Sequence, residues 1–403
     1  MTERQNSGGR KPGPAVEPGP ELTAEQRARA ERQLTLPGFS EEAQRRLANA
    51  RVLVIGAGGL GSASVPYLVG AGVGAGAGVI GILDDDLVEL SNLHRQVSHT
   101  TANLGRAKTD SLAEAADRLD PGVNVVTHTL RLTSDNALDI FENYDLVIDG
   151  SDNFATRYLV NDAAQLTGIP LIWGAILQHH GQVGVAWHEY GPGYRDLFPA
   201  PPEPGTVPSC AVGGVLPGLC GTTGSLLATE ALKIITGVGA PLIGRVLVYD
   251  ALAARTREIP YGRDPQATLV TELIDYELFC AGPDEAPERI DAPELARLLR
   301  AGEPTYLIDV RTEAERSQQR ITGSRGVPLA DIEAAIGSGS PLPESLTALL
   351  GGLEAPILVH CAHDPRSVRA AQLLARNGVE ARVVTGGIFE FAQVAPELIE
   401  GNA

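Results

Sequence analysis

Residues 51–63 read RVLVIGAGGLGSA. A β-prone apolar run ends in a glycine cluster, and a helical pattern of small residues follows, which predicts a strand, a tight turn and a helix. Small residues let the backbone approach a phosphate, and the first helical turn supplies N–H donors and the positive end of a dipole. Gly58 and Gly59 are the candidates for that approach. The next apolar run, Val79 to Leu83, ends at Asp84-Asp85-Asp86. Asp84 falls roughly twenty residues beyond the glycines, where an acid can bind a ribose hydroxyl. The fingerprint alone suits NAD, FAD or ATP, and a glycine turn without a ligand has the same local pattern.

Working outward, strands and helices alternate. Helices are expected near 23–32 and 40–48, with Ser40 as an N-cap, and over 108–119 and 224–236. Strands are expected at 123–127, 145–148, 170–173 and 183–188, and in RVLVYDAL at 245–252. This order predicts an α/β, Rossmann-like, doubly wound domain. Residues 1–22 are polar and rich in Gly and Pro and read as a disordered tail. The first domain then covers 23–262. Residues 263–288 mix Pro, Asp and Gly and read as a linker. A second, smaller α/β domain covers 289–403, with helices at 292–300 and 367–377 and strands at 306–310, 357–360 and 381–384.

The 403 residues carry a formal charge of −18, which makes nucleic acid a poor partner. Cys210, Cys220, Cys280 and Cys361 form no CxxC pair, so neither a disulfide framework nor a zinc knuckle is expected. No apolar leader or membrane-spanning stretch is read, and a cytoplasmic protein is expected.

Charged residues beyond the glycines narrow the choice of nucleotide. SNLHRQ at 91–96 supplies Ser91, Asn92 and Arg95; Lys108 follows in GRAK; SDNFATR at 151–157 supplies Asp152, Asn153 and Arg157. Activation of a carboxylate by ATP needs cations for the departing phosphates and an acid for Mg2+. Hydride transfer needs no such set. Taken singly, Arg95 and Lys108 read as surface charges and Asp152 as a helix cap.

These motifs, with VPSCA at 207–211 and GSLLATEALK at 224–233, resemble the MoeB/ThiF group of the ubiquitin-activating superfamily over roughly residues 25–260. The resemblance implies adenylation of the Gly-Gly terminus of a small ubiquitin-like sulfur carrier protein. Position by position it implies that Gly58, Gly59, Asp84, Asp86, Ser91, Asn92, Arg95, Lys108 and Asn153 hold ATP. It makes Asp152 the magnesium and catalytic acid. Arg32 matches an arginine inserted into the partner's nucleotide site in a homodimer, and Cys210 a loop cysteine that can take up the acyl group.

The second domain resembles a rhodanese module, through LIDVR at 307–311, ITGSRGVPL at 321–329, HCAHDPRS at 360–367 and GGI at 386–388. Cys361 leaves a strand and enters a short loop before a helix. Loop N–H groups, the helix dipole and Arg366 favour a sulfur anion there, while Asp364 opposes one. His363 could handle a proton. The implied chemistry is a persulfide on Cys361, loaded by an upstream donor such as a cysteine desulfurase.

Several positions depart from the family pattern. Gly193 and Asp196 stand where many relatives have a zinc-binding cysteine pair, and only Cys280 lies near the second pair, so no zinc is expected. The segment at 70–81 is longer than usual, and Gln178-His179-His180 replaces an arginine and a glutamate. Two other readings remain open: a nicotinamide or flavin oxidoreductase with an appended rhodanese, and a carrier-binding scaffold without turnover.

Overall fold

In chain order, the first of two compact units, residues 1–276, contains α1 (Glu41–Asn49), β1 (Arg51–Ile55), α2 (Gly61–Gly70), β2 (Val79–Leu83), α3 (Lys108–Leu119), β3 (Val125–His128), β4 (Leu146–Asp149), α4 (Phe154–Thr167), β5 (Leu171–Leu177), β6 (His180–Ala186), α5 (Pro217–Thr236), β7 (Arg245–Asp250) and β8 (Arg255–Pro260). The computed structural model describes residues 12–202, 213–267, 270–281, 287–303, 305–337, 357–362 and 364–401. β1 is buried from Val52 onward, as expected of a strand covered on both faces. It lies within an eight-stranded sheet ordered β3-β2-β1-β4-β5-β6-β7-β8. Neighbours from β3 through β5 pair parallel, and the remaining pairs are antiparallel. The order reverses between β1 and β4. Register sets Ile55 beside Leu83 on one side and Asp149 on the other. The carboxyl ends therefore frame a crevice at a topological switch point, the usual ligand position in open α/β sheets.

The tail expectation fails for residues 12–22. Val16 is buried, and Ala15 N donates to Ile234 O at 3.0 Å. Arg46 Nε donates to Val16 O, Arg45 Nε to Gly19 O and Asn49 Nδ2 to Glu17 O. One face of α1 thus satisfies the strap's carbonyls, which composition alone does not reveal. The first part of the expected linker is anchored too. Asp264 N donates to Asp196 Oδ1, Ser134 Oγ to Ile274 O, and the Tyr276 hydroxyl to Asp162 Oδ2 at 2.6 Å. Around the positions of the absent cysteine pair, Asp196 Oδ2 accepts from Gly193 N, and the His188 ring fills the space a Cβ at Gly193 would need.

The long 70–81 segment is absorbed at the amino end of the sheet. Gly74 N bonds Leu47 O and Gly76 N bonds Ala48 O. Asn124 Nδ2 reaches the Gly76 and Gly78 carbonyls. The extra residues fold against the end of α1, and β2 keeps full register with β1 up to Leu83.

The second unit, residues 277–403, contains β9 (Arg289–Ile290), α6 (Ala292–Ala301), β10 (Tyr306–Asp309), α7 (Glu313–Gln318), β11 (Gln319–Ile321), β12 (Arg325–Gly326), α8 (Leu329–Gly337), β13 (Ile357–His360), α9 (Pro365–Arg376), β14 (Ala381–Val384), α10 (Gly387–Val394) and β15 (Ile399–Gly401). Five parallel strands run β12-β10-β13-β14-β9, and β11 pairs with β15. Cys361 leaves the central strand β13. Among the described residues no helix is long and apolar enough to cross a membrane.

Candidate active sites

The glycine turn is fixed by sterics before any ligand arrives. Gly56 adopts φ +87°, and a Cβ at Gly61 would lie 1.9 Å from Gly56 O. Only glycine fits either position. A Cβ at Gly59 would meet Cys220 Sγ at 2.9 Å, whereas one at Gly58 would meet nothing nearer than Gln96 Nε2 at 3.6 Å. Gly58 therefore leaves space towards the crevice instead of serving internal packing.

Asp84 links the end of β2 to this turn. Its Oδ2 accepts from Ala57 N at 2.7 Å and its Oδ1 from Asp86 N at 2.8 Å. Burial pushes the Asp84 carboxyl up, against the opposing pull of Lys108 and these backbone donors. Each oxygen keeps a lone pair for a ribose hydroxyl. His99, which the sequence reading passed over, braces the turn from behind. Its ring contacts Ala57 O at 2.9 Å and Ser111 Oγ at 2.8 Å. Burial lowers the His99 pKa. The neutral ring then donates from Nε2 to Ala57 O and accepts at Nδ1.

A cavity of ≈ 230 Å³ lies over the turn, with Asp84, Asp86, Glu89, Asp152, Arg95, Lys108 and Arg157 on its walls. Lys108 Nζ sits 2.6 Å from Asp86 Oδ2. Arg95 Nη1 donates to Ser91 O, and Arg157 Nη2 donates to Ser151 O. Asp152 is exposed and has no hydrogen bond or ion pair among the described residues. Gln96 Oε1 and Arg157 Nε are buried without partners. Buried polar atoms normally find partners, so two orphans around one cavity mark places for ligand atoms. Behind them, burial pushes the Asp149 carboxyl up although Arg157 and Ser151 oppose it.

Gly58, Gly59, Asp84, Asp86, Asn92, Arg95, Lys108 and Asp152 thus share one cavity wall. Ser91 and Asn153 do not line it. Ser91 Oγ donates to Glu89, and Asn153 Oδ1 caps α4 through Thr156 N. Arg32 is also absent from this cavity; its side chain is 88% exposed, 3.8 Å from Glu31. Gln96 and Glu89 were missed, although Gln96 stands one helical turn beyond Asn92. Ile176 and Val215 close the far wall and carry no local signal, being brought there by the sheet. Cys210 and His363 lie outside the described residues.

At the second site, Cys361 is 1% exposed, and its Sγ stands 3.5 Å from Ser367 Oγ. The loop is clamped by α10: Ile388 N donates to Cys361 O and Phe389 N to Ala362 O. Both charged loop residues are matched from other elements. Arg366 makes two bonds to Glu315, at 2.9 and 2.7 Å. Asp364 Oδ2 pairs with Arg289 at 2.6 Å while its Oδ1 accepts from Gly386 N. The Arg366 pair, with Thr312 in support, holds Glu315 down at about 2, and Glu315 in turn raises the Arg366 pKa. Arg366 and Asp364, the positive and negative charges that the sequence places near the sulfur, are thus each held in an ion pair.

Two family models match the chain. The ThiF family model matches residues 30–269 and the rhodanese-like domain model residues 291–394. The chain belongs to the ThiF family and carries a rhodanese-like domain after its nucleotide-binding fold. It is 44% identical over 398 residues to a probable adenylyltransferase/sulfurtransferase MoeZ of Mycobacterium tuberculosis, covering 96% of this chain and 98% of that one. It is 50% identical to a sulfur carrier protein adenylyltransferase of Thermus thermophilus, over 64% of this chain and 98% of that one. It is 39% identical to mouse adenylyltransferase and sulfurtransferase MOCS3, over 91% and 83%. Among solved structures, E. coli MccB with ATP shares the fold at TM-score 0.53 and 18% identity, over 65% of this chain and 77% of that one.

Proposed function

We propose that the chain adenylates the C-terminal glycine of a small ubiquitin-like sulfur carrier protein with MgATP and then converts it to a thiocarboxylate at Cys361. Adenylyl transfer with sulfur transfer is the activity named for its full-length relatives. A sulfur carrier protein is the partner named for the Thermus relative. The observation that carries the reading is the single cavity holding the glycine turn, Asp84, Asp152 and three cationic side chains.

The chemistry follows from charge. Backbone donors of the turn, Arg95, Lys108 and Arg157 face the phosphates, and Asp84 holds the ribose. A carrier carboxylate oxygen attacks the α phosphorus, the bond to the bridging oxygen breaks, and pyrophosphate leaves. The cations stabilise the charge that develops on the leaving group. Four carboxylates against three cations cannot hold a polyanion alone. Asp152, exposed on the cavity wall and without a partner among the described residues, fits the missing divalent cation. Mg2+ bound there would neutralise phosphate oxygens and polarise the α phosphorus.

The acyl-adenylate is then attacked by the terminal sulfur of a Cys361 persulfide, releasing AMP and leaving an acyl disulfide. A thiol, for which Cys210 is the candidate, cleaves that disulfide. The carrier departs as a thiocarboxylate and the two cysteines are left oxidised, for an external thiol to reset. A cysteine desulfurase is the candidate donor of the persulfide, and a reducing cytoplasm suits the cycle. The exposure of Arg32 suits donation to a second copy in a homodimer. The test is mass spectrometry of candidate Gly-Gly carriers after incubation with the protein, MgATP and a sulfane donor. A gain of roughly 16 Da, oxygen replaced by sulfur on an activated carboxylate, is expected. Pyrophosphate exchange without that gain would leave adenylation standing and remove the sulfur step.

A further inference from the structure

The sulfur loop contains one cation and one anion, each matched by a residue that lies far away in sequence. Arg366 is held by Glu315, 51 positions earlier on α7. Asp364 is held by Arg289, 75 positions earlier on β9. Both loop residues are close to the sulfur. Cys361 and Arg366 interact electrostatically, and Ser367 Oγ contacts both Cys361 Sγ and Asp364 O. Neither pair is a by-product of helix capping. Thr312 N and Oγ1 already satisfy the cap through one oxygen of Glu315, and Gly386 N already occupies Oδ1 of Asp364.

We propose that Glu315 and Arg289 are positioning residues that set the reactivity of the Cys361 sulfur in opposite directions, Glu315 by neutralising Arg366 and Arg289 by neutralising Asp364. With both pairs intact, Arg366 and Asp364 are each matched, which leaves the positive end of α9 as the general field that favours an anion there. Removing Glu315 leaves Arg366 without its ion-pair partner beside the sulfur, with only the weaker influence of Asp309 still opposing its charge. Removing Arg289 leaves Asp364 without its ion-pair partner. Other charges stay fixed in both cases. Glu390 of α10 stands beside Gly386. Asp309, Arg311, Arg316 and His360 form their own cluster. Residues 307 and 358 pack on one face of the sheet and residues 308, 359 and Cys361 on the other, so alternation puts Asp309 and His360 on the face away from the sulfur.

The inference rests on Cys361 being the sulfur-bearing residue, but its test needs neither carrier nor ATP. Iodoacetamide is attacked by the thiolate, a thioether forms and iodide leaves. The rate at Cys361 is followed in the full chain by mass spectrometry of its peptide between pH 5 and 10. Glu315→Gln should move the pH–rate profile towards acid and Arg289→Gln towards alkali, each changing the rate at pH 6.5 by about threefold or more, in opposite senses. The double variant should return close to the parent. Arg289→Lys and Glu315→Asp keep the charges and should also resemble the parent. Shifts of both single variants in the same sense, or none, would overturn the proposal. So would Arg289→Lys behaving like Arg289→Gln, because the effect would then come from loop geometry and not from charge. If the charge assignment holds while thiocarboxylate never forms, the failure lies with the proposed function.

Discussion

The two sites solve the problem of holding an anion differently. Over the glycine turn, charges and polar atoms are left unmatched: Asp152 lacks a partner among the described residues, and Gln96 Oε1 and Arg157 Nε are buried orphans. In the sulfur loop every charged side chain described has a counter-ion, and the reacting atom is enclosed. The first arrangement is incomplete by itself and matches an incoming molecule that carries its own charges. The second is complete and protects a small nucleophile. Incompleteness is costly to a fold, since an unmade buried hydrogen bond costs about 1–3 kcal/mol. Its concentration in one cavity therefore argues for a ligand that supplies the missing contacts.

The largest expected effect separates the sites outright. Asp152→Asn removes a charge facing the cavity without changing shape. ATP–pyrophosphate exchange should fall on the order of a thousandfold, while loading of sulfur onto Cys361 stays at the parent level. Cys361→Ser should do the reverse, abolishing sulfur loading and leaving exchange within about twofold. Loss of exchange in Cys361→Ser would mean that the two sites are coupled, and the comparison would break.

A smaller effect concerns stability. Burial lowers His360 to about 4, with Asp309 nearby opposing the shift. Unfolded, the same ring titrates near 6.5. The folded unit therefore binds fewer protons between these values, and its stability rises with pH across that window. Acidification from pH 6.5 through 4 should cost the second unit about 3 kcal/mol. The first unit has its own buried histidine, His99, also shifted down, but less buried. Hydrogen exchange at pH 7 and pH 4.5 should show protection in β13 dropping more than in β1. An equal drop in both would remove His360 as the cause.

What was legible in the sequence follows the same division. Strands, helices and the glycine turn are local patterns, so β1, the turn and α2 fall where RVLVIGAGGLGSA places them. Asp84, Lys108 and Asp152 sit at ends of such elements, and a doubly wound sheet brings strand ends together. Residues that act by filling space or matching charge across the fold left no such trace. Glu315 stands three residues after Thr312 and reads as a capping box, which it is. Nothing local indicates its second role with Arg366. The strap at 12–22 looks disordered because its partners, Arg45, Arg46 and Asn49, belong to another segment. The resemblance to a known family supplied roles for Arg32 and Cys210 that the residues themselves do not declare.

The smallest predicted effect tests which glycines serve the ligand and which serve packing. α5 carries Gly218, Gly221 and Gly224 inside one 20-residue helix. A Cβ at Gly224 would lie 2.6 Å from Ala63 Cβ and 2.8 Å from Leu60 O, so this glycine lets α5 pack against the helix that starts at the nucleotide turn. A Cβ at Gly221 would meet nothing within 4 Å. Alanine is the better helix former by about 0.5–1 kcal/mol, largely through the entropy of the unfolded chain. Gly221→Ala should therefore raise the thermal midpoint by a few degrees with ATP affinity unchanged, whereas Gly224→Ala should lower both. If Gly221→Ala leaves the midpoint raised but weakens exchange with the carrier present, the exposed face of α5 near residue 221 contacts the carrier. The incompleteness of the first site would then extend beyond its nucleotide cavity to the surface where the second substrate arrives.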